Sequence, residues 1–350
     1  MVRFVLVLIV GLLIYPLSSR ALPLKVGVTA GLTGPLAGVT EAFKNGITLA
    51  DREWDRADQV QFVFEDDGLQ PARTVTAVRK LFTVDAVRAL VVFGTGNSLA
   101  VNNLAEQARV PMISISIDSR VVAGKKFILK HWAAVETLSA AAVAEVRRRG
   151  YKNLAVVATT NDAMLALKEK FDAALGPQIV FSESFLPDVT DFTALAARIR
   201  SLNAEAVYLL LYPPQTSILA KQLRVLGYTG AFFGAHPLEN VAEVRAAEGA
   251  LDEAWFVTGS VLADQDFPQR YLKAFNTEMM NGALSGYDVA KMLILGATAP
   301  DLNIFLHQLR DFEGVIGKYS ATADNGFDLP VRVSTVKELL NTQSSVALHK

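Results

Sequence analysis

The sequence predicts an α/β protein of two lobes, each built on a doubly wound parallel sheet, and three observations lead there. Strand-like runs alternate with helix-like runs almost to the end of the chain, a pattern that yields parallel strands covered by helices on both faces. The strand-like runs, such as "ALVVFG" and "AEAVYLLL", are nearly continuous in apolar residues instead of alternating, as doubly covered strands must be. The chain has 350 residues and no cysteine. At ~100–200 residues per domain this length favours two apolar cores over one, and neither has a disulfide to help it. With 51% of its residues hydrophobic, the chain can fill both.

Val26 and Val28 mark the first strand, and from Val39 the apolar residues Val39, Phe43, Ile47, Ala50 and Trp54 recur at helical spacing. The Thr33-Gly34-Pro35 turn between them bends the backbone tightly and leaves the start of the helix, with its free amide donors, facing the strand's end. Then follow "QFVFE" with a helix from Pro71, "ALVVFG" with a helix from Ser98, and "PMISIS" with a loop. A strand-like piece, Phe127 to Lys130, leads into a long helix from near Val135, and the first crossing between lobes is placed here.

The series then restarts: "NLAVVAT" with a helix from Asp162, "QIVFSE" with a helix from Asp191, "AEAVYLLL" with a helix from Pro214, and "AFFGA". After "AWFVTGSVL" the pattern changes to two helices, Pro268 to Met280 and Ser285 to Ala297, and strand-like residues return only at "LPVRVSTV". Such a tail fits a chain that goes back to the first lobe and crosses once more. The lobes are accordingly expected at residues 22–131 with 262–326, and at 132–261 with 327–350.

Residues 1–21 are set apart from both. Arg3, the apolar run Phe4 to Leu17, and Ser19-Arg20-Ala21 have the order of a cleaved secretory signal. The run is short of the ~20 apolar residues that span a bilayer. Without cysteine there is no lipid-accepting residue, so a soluble, unanchored periplasmic protein is expected.

The charge is balanced, with 34 basic and 35 acidic residues, which gives no attraction for nucleic acid or anionic lipid. The basic run at Arg147 to Gly150 sits where a helix ends, and there cations complement the carbonyl end of the dipole. Enzyme signatures are lacking. "GTGNSL" has no third glycine of a dinucleotide loop and does not follow the first strand. The four histidines, His131, His236, His307 and His349, are too scattered for a zinc cluster, and there is no thiol nucleophile. The acidic run Glu65 to Asp67, ahead of a Pro-initiated helix, reads as capping and turning the chain. No cofactor or metal is expected.

Several segments, taken in order, carry a resemblance: "VGVTAGLTGPLAG" with Gly46 and "LADRE" behind it, "EDDGLQPARTVTAVRKLF", "VVFGTGNS", "ARVPMIS", "DFTALAARIRSLNAEAVYL", "LRVLGYTGAFFG" and "FEGVIGKYSATADNGF". In sequence and spacing, over nearly all of the mature chain, they resemble the leucine/isoleucine/valine-binding family of periplasmic solute receptors, which feed ABC transporters. The resemblance implies two α/β lobes joined by three crossings that close over a small-molecule ligand at the carboxyl edges of the strands. It implies an ABC permease in the inner membrane as partner, and a monomer. Open α/β sheets bind ligands at that edge for an independent reason, because helix N-termini present free amides there.

By alignment with the family's pattern, Thr95 falls where a hydroxyl binds the ligand's carboxylate, and Ser116 on the loop that donates amides to it. From the residues alone, each hydroxyl could equally cap a helix. Asp118 stands where the family has a threonine that completes this pocket. A carboxylate there repels the ligand's own unless it is protonated, turned away or paired, with Arg120 as a partner at hand, and a solvent-facing N-cap is the alternative.

In the second lobe Tyr212 matches a tyrosine that reaches the ligand's ammonium, but the family's ammonium-binding glutamate falls at His236. Neutral imidazole does not replace a negative charge, so His236 would suit a hydroxyl or an acid. Val39 and Ala163 stand where tyrosines usually sit, which reshapes the cavity, and Trp132 beside the first crossing is a candidate stacking platform as well as a candidate core residue.

The expected function is therefore capture of a small amphipathic metabolite for an ABC importer, with amino acids, aromatic acids and amides as candidate ligands. Two other readings remain open at this stage: a receptor that reports a ligand to a signalling partner, and an NAD-linked enzyme.

Overall fold

The computed structural model describes residues 22–34, 36–54, 59–259 and 261–347, the last six of them as backbone, and the signal-like segment 1–21 lies outside these. The first lobe is laid down as β1 (Leu24–Ala30), α1 (Ala37–Trp54), β2 (Val60–Asp66), α2 (Pro71–Thr83), β3 (Ala89–Phe93), α3 (Thr95–Ala108), β4 (Met112–Ile115) and β5 (Ile128–Lys130). Its strands pair in the order β2-β1-β3-β4-β5, every pair parallel. Val26 and Val28 of β1 and Phe43, Ile47 and Ala50 of α1 are fully buried, so the helical spacing from Val39 onward turns the apolar stripe onto the sheet.

The second lobe repeats the scheme as α4 (Val135–Arg149), β6 (Leu154–Thr159), α5 (Asp162–Leu175), β7 (Ile179–Phe185), α6 (Thr193–Ser201), β8 (Ala206–Leu210), α7 (Gln215–Val225), β9 (Ala231–Gly234), α8 (Val241–Ala246) and β10 (Trp255–Thr258). Here the parallel order is β7-β6-β8-β9-β10. The basic run does end α4: Gly150, at φ 76°, terminates the helix, and Arg148 and Arg149 both bond Glu145, holding its carboxyl down at about 2.

The tail returns to the first lobe with α9 (Phe267–Phe275) and α10 (Gly282–Gly296), and α10 lies along α1. After α11 (Leu302–His307) comes a hairpin of β11 (Phe312–Glu313) and β12 (Lys318–Tyr319). Then β13 (Arg332–Thr335) joins the second sheet antiparallel to β10 and leads into α12 (Val336–Ala347). The chain thus passes between lobes three times, and the fold is the two-lobe parallel α/β architecture that the sequence predicts.

The boundaries differ in instructive ways. Helix α3 begins at Thr95, three residues before Ser98, because Gly94 at φ 102° turns the chain directly from β3 into the helix. The helix expected to run to Met280 stops at Phe275, where Asn276 adopts the left-handed conformation at φ 51° and its N–H bonds the Leu272 carbonyl. Helices α8, α11 and α12 and the hairpin were not foreseen.

Candidate functional site

The two sheets share one winding pattern. In the first the order reverses between β1 and β3, in the second between β6 and β8, so the loops leaving these strands diverge and open a crevice at their carboxyl ends. The crevices face each other around a cavity of about 90 Å³. Its first-lobe wall comes from Leu36 and Val39 after β1, Gly94 and Thr95 after β3, and Ser116 after β4. The second lobe supplies Ala163 after β6, Tyr212 after β8, and His236 and Glu239 after β9, while Trp132 on the first crossing borders it as well. A groove of about 360 Å³ adjoins it, with Glu239, Asn240, Met280 and Asn281 common to both.

Thr95 is the first residue of α3, so the amides of this unbonded first turn and the Thr95 hydroxyl lie together at the cavity. That hydroxyl has no partner among the described residues. The turn is held from behind by Asn97, whose amide donates to Asp67 at 3.1 Å and Thr74 at 2.6 Å. Asp67 also accepts the Leu69 N–H at 2.9 Å, and Asp66 accepts the Gly68 N–H and the Thr33 hydroxyl, so the acidic run shapes the turn after β2. Ser116 sits 2.7 Å from Ser114, which is 2.6 Å from Ser98, a chain of hydroxyls leading away from the cavity.

Asp118 is not brought into this set. Its carboxylate accepts the Arg120 N–H at 2.8 Å and the Arg120 guanidinium at 2.6 and 2.9 Å, capping the short turn at Ser119–Val121. Pairing and capping engage both oxygens, and the residue is not part of the cavity wall. The placing of Asp118 among the ligand-binding residues thus gives way to the alternatives the sequence left open, pairing with Arg120 and an N-cap.

On the facing lobe, the Tyr212 N–H donates to the Thr159 hydroxyl at 3.1 Å, Thr159 donates to Gln215 at 2.6 Å, and the Gln215 amide donates to the carbonyls of Leu186 and Val189. This network fixes the loop after β8. Burial raises the Tyr212 phenol well above its ordinary range, so it remains protonated. The His236 ring meets Trp132 edge-on at 5.8 Å between centroids and Tyr212 at 6.3 Å. Enclosure pushes the imidazole down to about 4, so it is neutral near pH 7. Trp132 Nε1 and His236 Nδ1 are both enclosed and without a hydrogen-bond partner.

Five of the six residues singled out in the sequence, Thr95, Ser116, Trp132, Tyr212 and His236, therefore border one cavity, and so do Val39 and Ala163. Glu239 and Asn281 were missed. Glu239 accepts hydrogen bonds from the Thr258 hydroxyl and, across the lobes, from the Asn281 amide. An acidic residue three places after His236 on a strand-end loop was a usable signal for the first, while Asn281 reaches the cleft only through the packing of α10.

The family model described as "Periplasmic binding protein" matches residues 23–339. Leu/Ile/Val-binding protein BraC3 of Rhizobium johnstonii is 26% identical over 245 residues, covering 67% of this chain and 66% of that protein, so the match spans just under two thirds of the relative's own length. Among solved structures, a leucine binding protein, LivK, from Thermotoga maritima superposes with a TM-score of 0.83 at 21% identity, covering 90% of this chain and 96% of that one. An ABC transporter solute binding protein from R. palustris in complex with benzoate gives 0.80 at 18% identity, covering 90% and 93%. At these identities the structures speak to the fold.

Proposed function

Because this chain belongs to the periplasmic binding protein family, we propose that it is the substrate-binding component of an ABC importer, working in the periplasm and capturing a small carboxylate-bearing amphipathic metabolite between its lobes. One observation carries the reading: the cavity joins the start of α3, Thr95 and Ser116 from one lobe to Tyr212 and His236 from the other, so a ligand bound there bridges the lobes. A carboxylate suits the amides and hydroxyls of the first wall. An apolar or aromatic body suits the rings of the second. A ligand that touches both lobes stabilises the closed arrangement, the form a permease would recognise. The lobes are assigned to residues 22–131 with 262–326 and 132–261 with 327–350, in keeping with α10 on α1 and β13 on β10.

The identity of the body is a choice between two classes. The names of the Rhizobium and Thermotoga relatives favour a branched-chain amino acid, for whose ammonium Glu239 is the carboxylate among the described residues of the wall. The neutral His236 and the aromatic wall favour an acid without an ammonium, as in the benzoate-bound neighbour. The test is the melting temperature of the purified protein with branched-chain amino acids, aromatic carboxylates, amides and polyols. A ligand at a thousand times its dissociation constant adds about 4 kcal/mol to the folded state, a clear shift. A shift with any carboxylate supports the proposal, and silence across the carboxylates refutes it.

A further inference from the structure

Two buried nitrogens in the cavity wall lack partners. Trp132 Nε1 can only donate, and Trp132 is 8% exposed, so the indole N–H has been taken out of water with nothing to receive it. His236 Nδ1 is likewise enclosed and unpaired, on a ring that packs against the same indole. Buried polar atoms are satisfied in nearly all native structures, and an orphan at a cavity calls for a group that the protein itself does not supply. Both rings belong to the cavity wall, so a ligand group that enters the cavity is in place to supply the missing partner.

From this pair we infer that the ligand is a hydroxylated carboxylic acid whose hydroxyl lodges between the Trp132 indole N–H and His236. The inference deepens the proposed function and rests on it. A hydroxyl is the group that fits, because its oxygen accepts from the indole N–H while its proton is given to an imidazole lone pair, or, in the other tautomer, its second lone pair accepts the imidazole N–H. An ammonium has no lone pair for the indole N–H and leaves that donor orphaned. A hydrogen in the same place leaves both orphaned. The acid's carboxylate has its own donors at the start of α3, where Thr95 stands with a free hydroxyl. Burial keeps the imidazole neutral, so the ring does not repel an uncharged hydroxyl and itself gives no negative charge to hold an ammonium at this place.

The discrimination follows from the unpaired groups. Sites built to bond a ligand hydroxyl reject the analogue that lacks it far more strongly than apolar pockets reject a missing methylene. Titration calorimetry on the full chain would compare matched acids: 2-hydroxy-4-methylpentanoate, 4-methylpentanoate and leucine, then 4-hydroxybenzoate and benzoate. In at least one set the hydroxy acid is expected to bind tenfold or more tighter than its hydrogen analogue, with leucine weaker than its hydroxy counterpart. Trp132→Phe and His236→Phe, each keeping a ring in place, are expected to bring the hydroxy-to-hydrogen ratio towards one, and circular dichroism identifies a variant that fails to fold. Equal affinities within each set, tighter binding of leucine, or a ratio unchanged in the folded variants overturns the inference while leaving the importer reading intact. Failure of every acid to bind overturns that reading, and this inference with it.

Discussion

Glu239, in the turn after β9, accepts a hydrogen bond from the side-chain amide of Asn281 at the head of α10, and this bond ties the second lobe to the first. Thr258 holds the other carboxylate oxygen. Other contacts also cross the rim: the Ser119 hydroxyl donates to Glu136 at 2.9 Å, and Gly96 lies so close to Asp162 that a Cβ there would sit 2.4 Å from its carboxylate. The lobes are thus joined on several sides of the cavity.

Asn281→Ala removes the interlobe bond at Glu239 but leaves α10 intact, since Asn281 provides no side-chain cap to that helix. A hydrogen bond to a charged acceptor is worth about 1.5–3 kcal/mol, and the part of it that exists only when the lobes are closed appears as lost affinity. We expect a dissociation constant raised by about tenfold, with a ligand-free melting temperature near that of the native chain. Titration calorimetry checks the first and a melting curve the second. An unchanged dissociation constant would mean that the bond does not depend on closure.

Asp118→Ala should show the opposite split. The side chain is 4% exposed and caps its own turn, while its partner Arg120 is 64% exposed, so the ion pair itself is weakly stabilising and the cap is the larger loss. Stability should fall by about 1 kcal/mol, read from urea unfolding. Affinity for any ligand of the cleft should stay close to that of the native chain. A large loss of affinity without loss of stability would return Asp118 to the binding set.

These residues also show which parts were legible. Buried strands announce themselves as apolar runs, which made the parallel strands of both sheets visible, whereas the largely exposed β13 showed only within the strand-like "LPVRVSTV". The start of α3 was misplaced because a glycine with positive φ, not a capping side chain, begins it. Thr95, Tyr212 and His236 could be named because they align with the pattern of the family the sequence resembles, at strand ends that a parallel sheet sends to one place. Asp118 could not be decided from its neighbours, since whether a carboxylate faces a cleft or its own turn depends on a torsion. Asn281 was invisible because only the approach of α10 to α1 brings it to the second lobe.

That approach depends on glycine. A Cβ at Gly286 would lie 2.1 Å from the Phe43 carbonyl oxygen, and one at Gly46 equally close to the Ala283 oxygen. The obstructing atoms are backbone, which cannot rotate aside. Gly286→Ala gains about 0.5–1 kcal/mol from helix propensity but loses more, since overpacking costs about 1–3 kcal/mol. A lower melting temperature is expected, and affinity should fall with it because Val39 and Met280 of the cavity wall sit on and beside this helix pair. A melting temperature equal to or above that of the native chain would show that the helices can separate freely.

On the buried face of α10 itself, the carboxylate of Asp288 sets part of the pH dependence. Asp288 accepts the Val315 N–H at 2.7 Å, the Ile316 N–H at 3.3 Å and the Tyr319 hydroxyl at 2.9 Å, and that hydroxyl is 2.8 Å from His131 Nε2. Burial pushes Asp288 up to about 6, against ~3.9 in an unfolded chain. Between pH 7 and pH 5 the folded state therefore takes up a proton that the unfolded chain does not, so this group adds stability as the pH falls. His131 and His236 act in the opposite sense. Burial holds them at about 3 and about 4, below the ~6.5 of an unfolded chain, so in the same window the unfolded state takes up their protons and stability falls. Asp288→Asn removes the compensating group alone. Between pH 7 and pH 5 this variant should lose about 1 kcal/mol more stability than the native chain, read from urea unfolding at both pH values. Equal losses would mean that Asp288 keeps its charge to below pH 5, held there by the two amides and the tyrosine hydroxyl.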